Sequence, residues 1–592
     1  MDEIAPQTLT DALDQAALHR PRTIGARFLD RHGAEHGCHT FDELRQRAMA
    51  AAALLRQRGI RPGDRVVIVS PTEVGFYDAF FGCLYAGAVP TPVYPPLRLG
   101  KLDEWVARTA AMVQACEARL VIVDRRSRRL FGQVAERVSV ELGMVALEKL
   151  PAEVGGRGFA PAEVGGRGFA PAEVGGRGSA PAERLALIQF SSGTTRDPAP
   201  VMLTHRQILA NIDAIVSCLP PAAFGGGGCV SWLPLYHDMG LIGCLLTTLR
   251  VAETMTLIGP EQFLARPRLW LEALSRYRGT VSPAPNFAYA RCVEKIPHHD
   301  LASLDLSGWL VAMNGAEPIA VDAMRAFADR FAPTGFRPEA LSPVYGLAEA
   351  ALAVTFTPFD TPFVARRFDR AQLAAGRAVE VADGIELPSL GRPLPGYELE
   401  IRDDDHQAVE DGVVGRLWVR GPSITRGYLG GGDPTRDGWL DTGDRGFLFD
   451  GDLFVCGRAK DVVVVRGQNH AAHDLERACD DVPGVRPGCV VAVSELREGG
   501  ERVHVFVEAR ERPDGLALRC RESIRRRTGI EPDEVWVLEP GTIPRTSSGK
   551  LRRRETLARH LRGELAPPRR VGPLLVAREL AKSAYGYLNS DN

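Results

Sequence analysis

The sequence predicts an α/β protein, with a large N-terminal domain of doubly wound sheets over 1–457 and a small α+β C-terminal domain over 458–592. Three observations carry this expectation. Short apolar runs alternate with helical segments through the first 350 residues, the pattern of a mostly parallel sheet wrapped by helices. Near residue 457 the texture changes to closely spaced strands and helices, a compact unit of about 130 residues. The full 592 residues also exceed what one hydrophobic core serves, so two to four domains are expected.

Taken in order, Thr40-x-x-Glu43 is a capping box that opens a helix expected over 41–58, stopped by Gly59 and Pro62. Arg65–Val69 is a short apolar strand. A helix near 76–85 follows, then strands at Leu120–Val123, 230–233 and 309–313. Residues 151–180 are three tandem decapeptides, PAEVGGRGFA twice and PAEVGGRGSA once, and a fourth begins at Pro181. Solenoid repeats need apolar faces to stack, and these have none. The stretch 151–184 is therefore expected to be a flexible linker or expanded surface loop. Beyond 457 the expected order is strand 461–465, helix 473–480, strands 489–493 and 503–508, helix 516–527 and strand 534–538.

Composition narrows the function classes. A net charge of −2, with no basic stripe interleaved with aromatics, argues against a nucleic-acid partner. No apolar run reaches transmembrane length, and the acidic start MDEIAPQTLTDALDQ lacks a signal core. The 11 cysteines include no C-x-x-C pair, which favours reduced thiols and a cytoplasmic setting over a disulfide or metal framework.

The chemistry-bearing stretches begin with Phe190-Ser-Ser-Gly-Thr-Thr195, at the end of the apolar strand Leu185–Phe190. Ser191, Ser192, Gly193, Thr194 and Thr195 can wrap backbone N–H and side-chain O–H groups around phosphate oxygens. Taken alone, such a stretch is equally a plain turn, and no G-K-[ST] follows to make it a Walker loop. Further on stand Tyr345-Gly-Leu-Ala-Glu349, Trp439-Leu-Asp-Thr-Gly-Asp444, Gly457-Arg-Ala-Lys-Asp461 and Pro544-Arg-Thr-Ser-Ser-Gly-Lys550. Each alone reads as a helix-surface acid, a turn residue or a solvated lysine. Their joint presence in this order carries the information.

The set resembles the acyl-adenylate-forming superfamily: acyl-CoA synthetases, luciferases and nonribosomal-peptide adenylation domains. The resemblance spans about Ile24 to Arg554 and is closest to the fatty acyl-AMP ligases. It rests further on Pro90-Thr-Pro-Val-Tyr-Pro-Pro96, Trp232-Leu-Pro-Leu-Tyr-His-Asp-Met-Gly240, Pro285-Asn-Phe-Ala-Tyr289, Asn314-Gly-Ala-Glu-Pro318 and Arg466-Gly-Gln-Asn-His470. The long stretch between Tyr345 and Gly391, with Arg367-Phe-Asp-Arg370, resembles an insertion of fatty acyl-AMP ligases, expected at about 352–388.

The resemblance implies a reaction: ATP activates a fatty acid as acyl-AMP, and the acyl group passes to a carrier-protein phosphopantetheine. The carrier would be a free acyl carrier protein, or a carrier domain of a polyketide synthase or nonribosomal peptide synthetase. It also implies roles. Asp444 and Arg458 would hold the ribose, a carboxylate offering two acceptors to a vicinal diol. Tyr345 and Gly346, with the backbone of Asn314, Gly315 and Ala316, would hold adenine. Glu349 would help hold Mg²⁺. Lys550 would bridge the substrate carboxylate and the α-phosphate. His237 would lie near the acyl carboxylate, with a packed core histidine as the rival account. Lys460 would be the hinge about which a mobile C-terminal domain turns between half-reactions.

The chain departs from the family pattern in the phosphate loop. Arg196 replaces a glycine and Ala199 stands at a lysine position, followed by Pro200, which stiffens the loop. Ala471-Ala472 stand where an aromatic residue and proline are usual. Two alternatives stay open: an acyl-CoA synthetase using free CoA, and a degenerate member that does not adenylate.

Overall fold

The computed structural model describes residues 5–590 except 97–98, 151–180, 192–197, 466–467, 481, 498–499, 547–548 and 570. The decapeptides, residues 192–197 of the phosphate loop and the first two residues of Arg466-Gly-Gln-Asn-His470 lie outside the described residues.

Helix Phe41–Gln57 starts at the capping box. Glu43 N–H donates to Thr40 Oγ1 at 3.3 Å, and Thr40 N–H donates to Glu43 Oε2 at 2.8 Å. Its alanine-rich face packs on helix Val74–Ala86. A Cβ added to Gly82 of that helix would lie 2.7 Å from Ala51 Cβ, so glycine sets how closely the two axes approach.

Behind these helices stands an all-parallel sheet in the order Val89–Val93, Arg65–Val69, Leu120–Val123, Met144–Ala146. Its two central strands are apolar on both faces and almost wholly buried, as helices on both sides require. A second sheet runs Glu35–Thr40, Ile24–Leu29, Met255–Ile258, Cys229–Ser231, with only its first pair antiparallel. Single parallel bridges through Val281, Val311 and Ala284 carry it on to the neighbouring pair Ala312–Asn314 and Leu341–Gly346. The doubly wound expectation is thus met by two sheets. Cys229–Ser231 begins one residue before the expected 230–233, and Ala312–Asn314 falls at the end of the expected 309–313. The second shift has a packing cause: Trp309 turns into an aromatic core with Trp270, Tyr289, Phe327 and Phe336 instead of joining the ladder.

An antiparallel sheet follows, built from Glu398–Arg402, Gly415–Arg420, Trp439–Phe449 and Asp452–Arg458. Its last pair sets Asp444 opposite Arg458. After residue 460 come helix Ala472–Asp480, the strands Val485–Arg497, Gly500–Ala509 and Glu534–Leu538, and helix Leu516–Thr528. These share a hydrophobic cluster of their own, including Leu475, Val490, Val505, Cys520 and Ile524.

Two elements extend the expectation. Within 352–388, strand Ala353–Phe356 belongs to the body, pairing with Leu341–Gly346. The added part is a hairpin, Ala365–Phe368 with Ile385–Pro388, closed by short helix Arg370–Ala374. At the chain end, helix Pro573–Ser590 leaves the C-terminal cluster and packs on helix Arg125–Ala135. Gly132 N–H donates to Ser583 Oγ at 2.9 Å, and the backbones are so close that a Cβ on Gly132 would meet Ser583 O at 1.9 Å.

Candidate active site

Nine of the expected residues line one cavity of about 1510 Å³, bounded by the parallel-sheet body, the antiparallel sheet and the C-terminal cluster together, whereas Asn314, Gly315 and Lys460 do not line it and 192–195 lie outside the described residues. Ser191, Ala316, Tyr345, Gly346, Glu349, His237, Asp444, Arg458 and Lys550 all line it.

The centre is built on strand ends. Tyr345 and Gly346 end the strand Leu341–Gly346. Gly346 accepts no side chain, because a Cβ would lie 1.9 Å from Leu352 O. The Tyr345 hydroxyl donates to Asp444 Oδ2 at 2.7 Å, and Arg458 Nε lies 3.4 Å from Asp444 Oδ1. Burial raises the Asp444 carboxyl above the usual range, with Arg458 and the tyrosine hydroxyl pulling the other way.

Asn314, fully buried at the end of its strand, donates Nδ2 to Asn286 Oδ1 at 3.2 Å, while its Oδ1 has no hydrogen-bond partner. The chain then passes Gly315, where a Cβ would press on Val344 at 2.8 Å, into Ala316 at φ +70°. A non-glycine residue held there marks a constrained turn at the cavity wall.

Glu349 follows in a single helical turn. Its Oε1 accepts from the Tyr428 hydroxyl at 2.9 Å, and its backbone carbonyl accepts from Thr425 N–H at 2.7 Å. Ser191 Oγ accepts from Ala199 N–H at 3.2 Å and Ser191 N–H donates to Ala199 O at 2.9 Å, pairing the residues on either side of 192–198. The Ala199 position, where the family pattern has a lysine, therefore contributes backbone.

His237 and Asp238 open the π-helix Met239–Leu246. His237 Nδ1 lies 2.6 Å from Asp238 Oδ1, which also accepts from Met239 N–H at 2.7 Å. Gly240 is required, since a Cβ would lie 2.3 Å from Pro234 O. Wide π turns of this kind cluster at functional sites because they re-aim side chains. The cavity lining also includes the apolar side chains of Trp232, Leu264, Phe287, Met313, Ile319 and Leu352.

Lys550 arrives from the C-terminal cluster on a tight loop. Lys550 N–H donates to Thr546 Oγ1 at 3.0 Å, Thr546 N–H donates to Lys550 O at 2.8 Å, and Gly549 turns the chain at φ +91°. Burial lowers the Lys550 ammonium from its ordinary value, while Asp238, Glu317 and Asp444 favour its charge. Asp238 and Glu317 were missed as site residues in the sequence, although each adjoins a named motif position. Glu317 Oε1 accepts from Phe287 N–H at 2.9 Å, and burial raises its carboxyl. Lys460 stays outside the cavity: its side chain is exposed, and the Arg554 guanidinium clasps its carbonyl at 2.9 Å. Its neighbour Asp461 is bound by Arg553 at 2.9 Å, and Arg553 also holds Glu476.

A family model described as AMP-binding enzyme matches residues 14–429. The chain belongs to the AMP-binding enzyme family. As such it is an AMP-dependent acyl ligase. This AMP-binding enzyme is 33% identical to a Caulobacter vibrioides protein provisionally named an acyl-CoA synthetase, over 94% of this chain and 96% of the other. It is 29% identical to the medium-chain-fatty-acid–[acyl-carrier-protein] ligase JamA of Moorena producens, again over 94% and 96%. Among solved structures it matches one from a study of fatty acyl-adenylate ligases of E. coli and L. pneumophila. That match has 33% identity and a TM-score of 0.83, and covers 94% of this chain and 98% of the other.

Proposed function

We propose that this AMP-binding enzyme joins a fatty acid to AMP at the expense of ATP and passes the acyl group to a carrier-protein phosphopantetheine thiol. The observation that carries the proposal is the arrival of Lys550 in the cavity that holds Asp444, Arg458 and Tyr345 and is also lined by apolar side chains. A carboxylate oxygen attacks the α-phosphorus, and pyrophosphate leaves with the electrons of the broken P–O bond. Lys550, drawn to its place by Asp238 and Glu317, neutralises charge building on the α-phosphate. Asp444 accepts the ribose hydroxyls, with Tyr345 and Arg458 fixing its carboxylate. The loop 191–195 takes the outgoing phosphates.

Glu349, an oxygen donor braced by Tyr428, fits Mg²⁺, which when bound would neutralise phosphate charge. His237, braced by Asp238, faces the acyl carboxylate. In the second step the thiol attacks the acyl carbon and AMP leaves. The C-terminal unit, from 458 through helix Arg553–Leu561, would turn about Lys460 between the steps, with helix Pro573–Ser590 remaining docked on the body.

The acceptor is proposed as a carrier protein because the hairpin 365–388 leans on the C-terminal unit: Arg370 lies 3.4 Å from Asp474, and Leu373 and Ala374 reach the cavity wall. A carrier's docking energy would offset the closure that free CoA must drive alone. A second reading, transfer to free CoA, is favoured by the Caulobacter relative's name. Mass spectrometry of reactions with ATP and a panel of fatty acids, with CoA and holo carrier protein in parallel, separates the two. Acyl-AMP should accumulate with CoA and be consumed by the carrier. Stoichiometric acyl-CoA would move the chain to the CoA ligases, and the absence of any adenylate would make it a non-adenylating member.

A further inference from the structure

Away from the cavity, the C-terminal sheet carries a polar island on one face. His504 pairs across the ladder with Val493 on one side and Glu534 on the other. Side chains alternate along strands, so Glu495, two residues beyond Val493, shares the face with His504, Phe506, Glu534 and Trp536. His504 is 2% exposed. Helix Arg553–Leu561 crosses this face and delivers His560 from its last turn. The His560 ring is set by Trp536 at 4.4 Å and Phe506 at 5.1 Å between ring centres.

The polar geometry is unusual. His504 Nε2 lies 3.0 Å from Glu495 Oε2, a hydrogen bond on one side of the ring. On the other side the buried Nδ1 has no hydrogen-bond partner, and the Glu534 carboxylate oxygen is 3.3 Å away. A proton on Nδ1 or a metal ion between the two atoms would each satisfy this pair. Two metal–ligand bonds of about 2.0–2.1 Å at a tetrahedral angle subtend an N···O edge of roughly 3.3 Å. The ligand atoms of His504, Glu534 and His560 lie within 4.8 Å of one another, close enough for one ion to gather them. A carboxylate on the far nitrogen of a ligating histidine is the usual outer support of such a site.

We propose that His504, Glu534 and His560 bind a divalent first-row cation of the zinc class, with Glu495 orienting His504 and solvent completing a four-coordinate shell. Two imidazoles and a carboxylate form a borderline donor set that suits zinc better than calcium or magnesium. The bound ion ties helix Arg553–Leu561 to the sheet.

The test uses the full chain without an affinity tag, stripped by chelator. Titration calorimetry with zinc chloride should show one tight equivalent. Cobalt(II) chloride should give weak visible bands and no intense near-ultraviolet thiolate band, which separates this site from the cysteines. Because His504 is buried, the decisive variants are His560→Ala and Glu534→Gln at partly exposed positions. Each should weaken zinc binding at least tenfold while circular dichroism stays unchanged. Absence of zinc binding, undiminished binding in either variant, or a thiolate-type cobalt spectrum would each overturn the assignment and leave His504 as an ion-paired core residue.

Discussion

Lys550 and His205 show how a single side chain answers to its surroundings. Lys550 is held among Asp238, Glu317 and Asp444, carboxylates from three separate parts of the chain, so removing it deletes the charge on which they converge. Lys550→Ala should abolish exchange of labelled pyrophosphate into ATP while the unfolding midpoint stays near wild type, and near-normal exchange would remove Lys550 from the chemistry. His205 makes a prediction about pH. It is buried, and its Nδ1 accepts from Leu9 N–H at 3.1 Å, anchoring the first helix, Leu9–His19. Burial first, then Arg184, lowers its pKa from 6.5 to about 4. The folded state thus favours the neutral ring. That stability is present above the unfolded pKa of about 6.5 and is lost as pH falls toward 4. The loss should reach about 2 kcal/mol by pH 5. Urea unfolding at pH 7.5 and pH 5 should show it in the wild type and not in His205→Gln; equal pH sensitivity in both would refute it.

At the scale of elements, the hairpin Ala365–Phe368 with Ile385–Pro388 is held by Phe368 and Leu387 in an aromatic cluster and by the ion pairs Arg325–Glu386 and Arg366–Asp450. Phe368 is fully buried against Phe447, Phe449 and Phe454 at 4.9–5.3 Å between centres. Phe368→Ala should cost about 3–5 kcal/mol locally. Hydrogen exchange should show it as lost protection across 365–388, with the body unaffected; unchanged protection would mean the hairpin is held otherwise. The decapeptides make the opposite prediction. They are expected to be a loop, and loop-closure cost changes by only about 0.6 kcal/mol per doubling of length. Deleting one or two repeats should therefore leave turnover and melting temperature nearly unchanged, and a large loss of activity would show that the repeats serve the site.

The whole molecule is closed by a strap. After the C-terminal cluster the chain runs back past helix Leu102–Ala115, where Arg559 pairs with Glu104, and docks Pro573–Ser590 on Arg125–Ala135. Glu579 and Ser583 are buried in that contact, and Gln133 Nε2 donates to Glu579 O at 3.1 Å. Gly132→Val would force a branched side chain into the Ser583 backbone. Truncation after residue 565 should therefore lower the melting temperature and raise exchange in 125–135, and Gly132→Val should reproduce both effects. If the variant exchanges like the wild type, the strap is not docked in solution.

Local chemistry in the chain determined much of this. The capping box at Thr40 and Glu43, the apolar strands Arg65–Val69 and Leu120–Val123, and the order of elements from 461 to 538 except the strand Gln468–Ala471 were legible because periodicity and capping act within a few residues. Motif spelling named part of the cavity lining for the same reason: Tyr345, Asp444, Arg458 and Lys550 lie in short stretches whose composition is itself unusual. What tertiary structure decided was which distant stretches meet. Asp238 and Glu317 became visible only when folding set them around Lys550, and Trp309 left its expected strand for an aromatic core assembled from four other segments. Helix Pro573–Ser590 could not be placed from its own residues, because its partner lies more than 400 positions earlier and the fit depends on a missing side chain at Gly132. Contacts of that kind are settled by packing and burial across the whole chain, a long-range quantity that no local window of sequence contains.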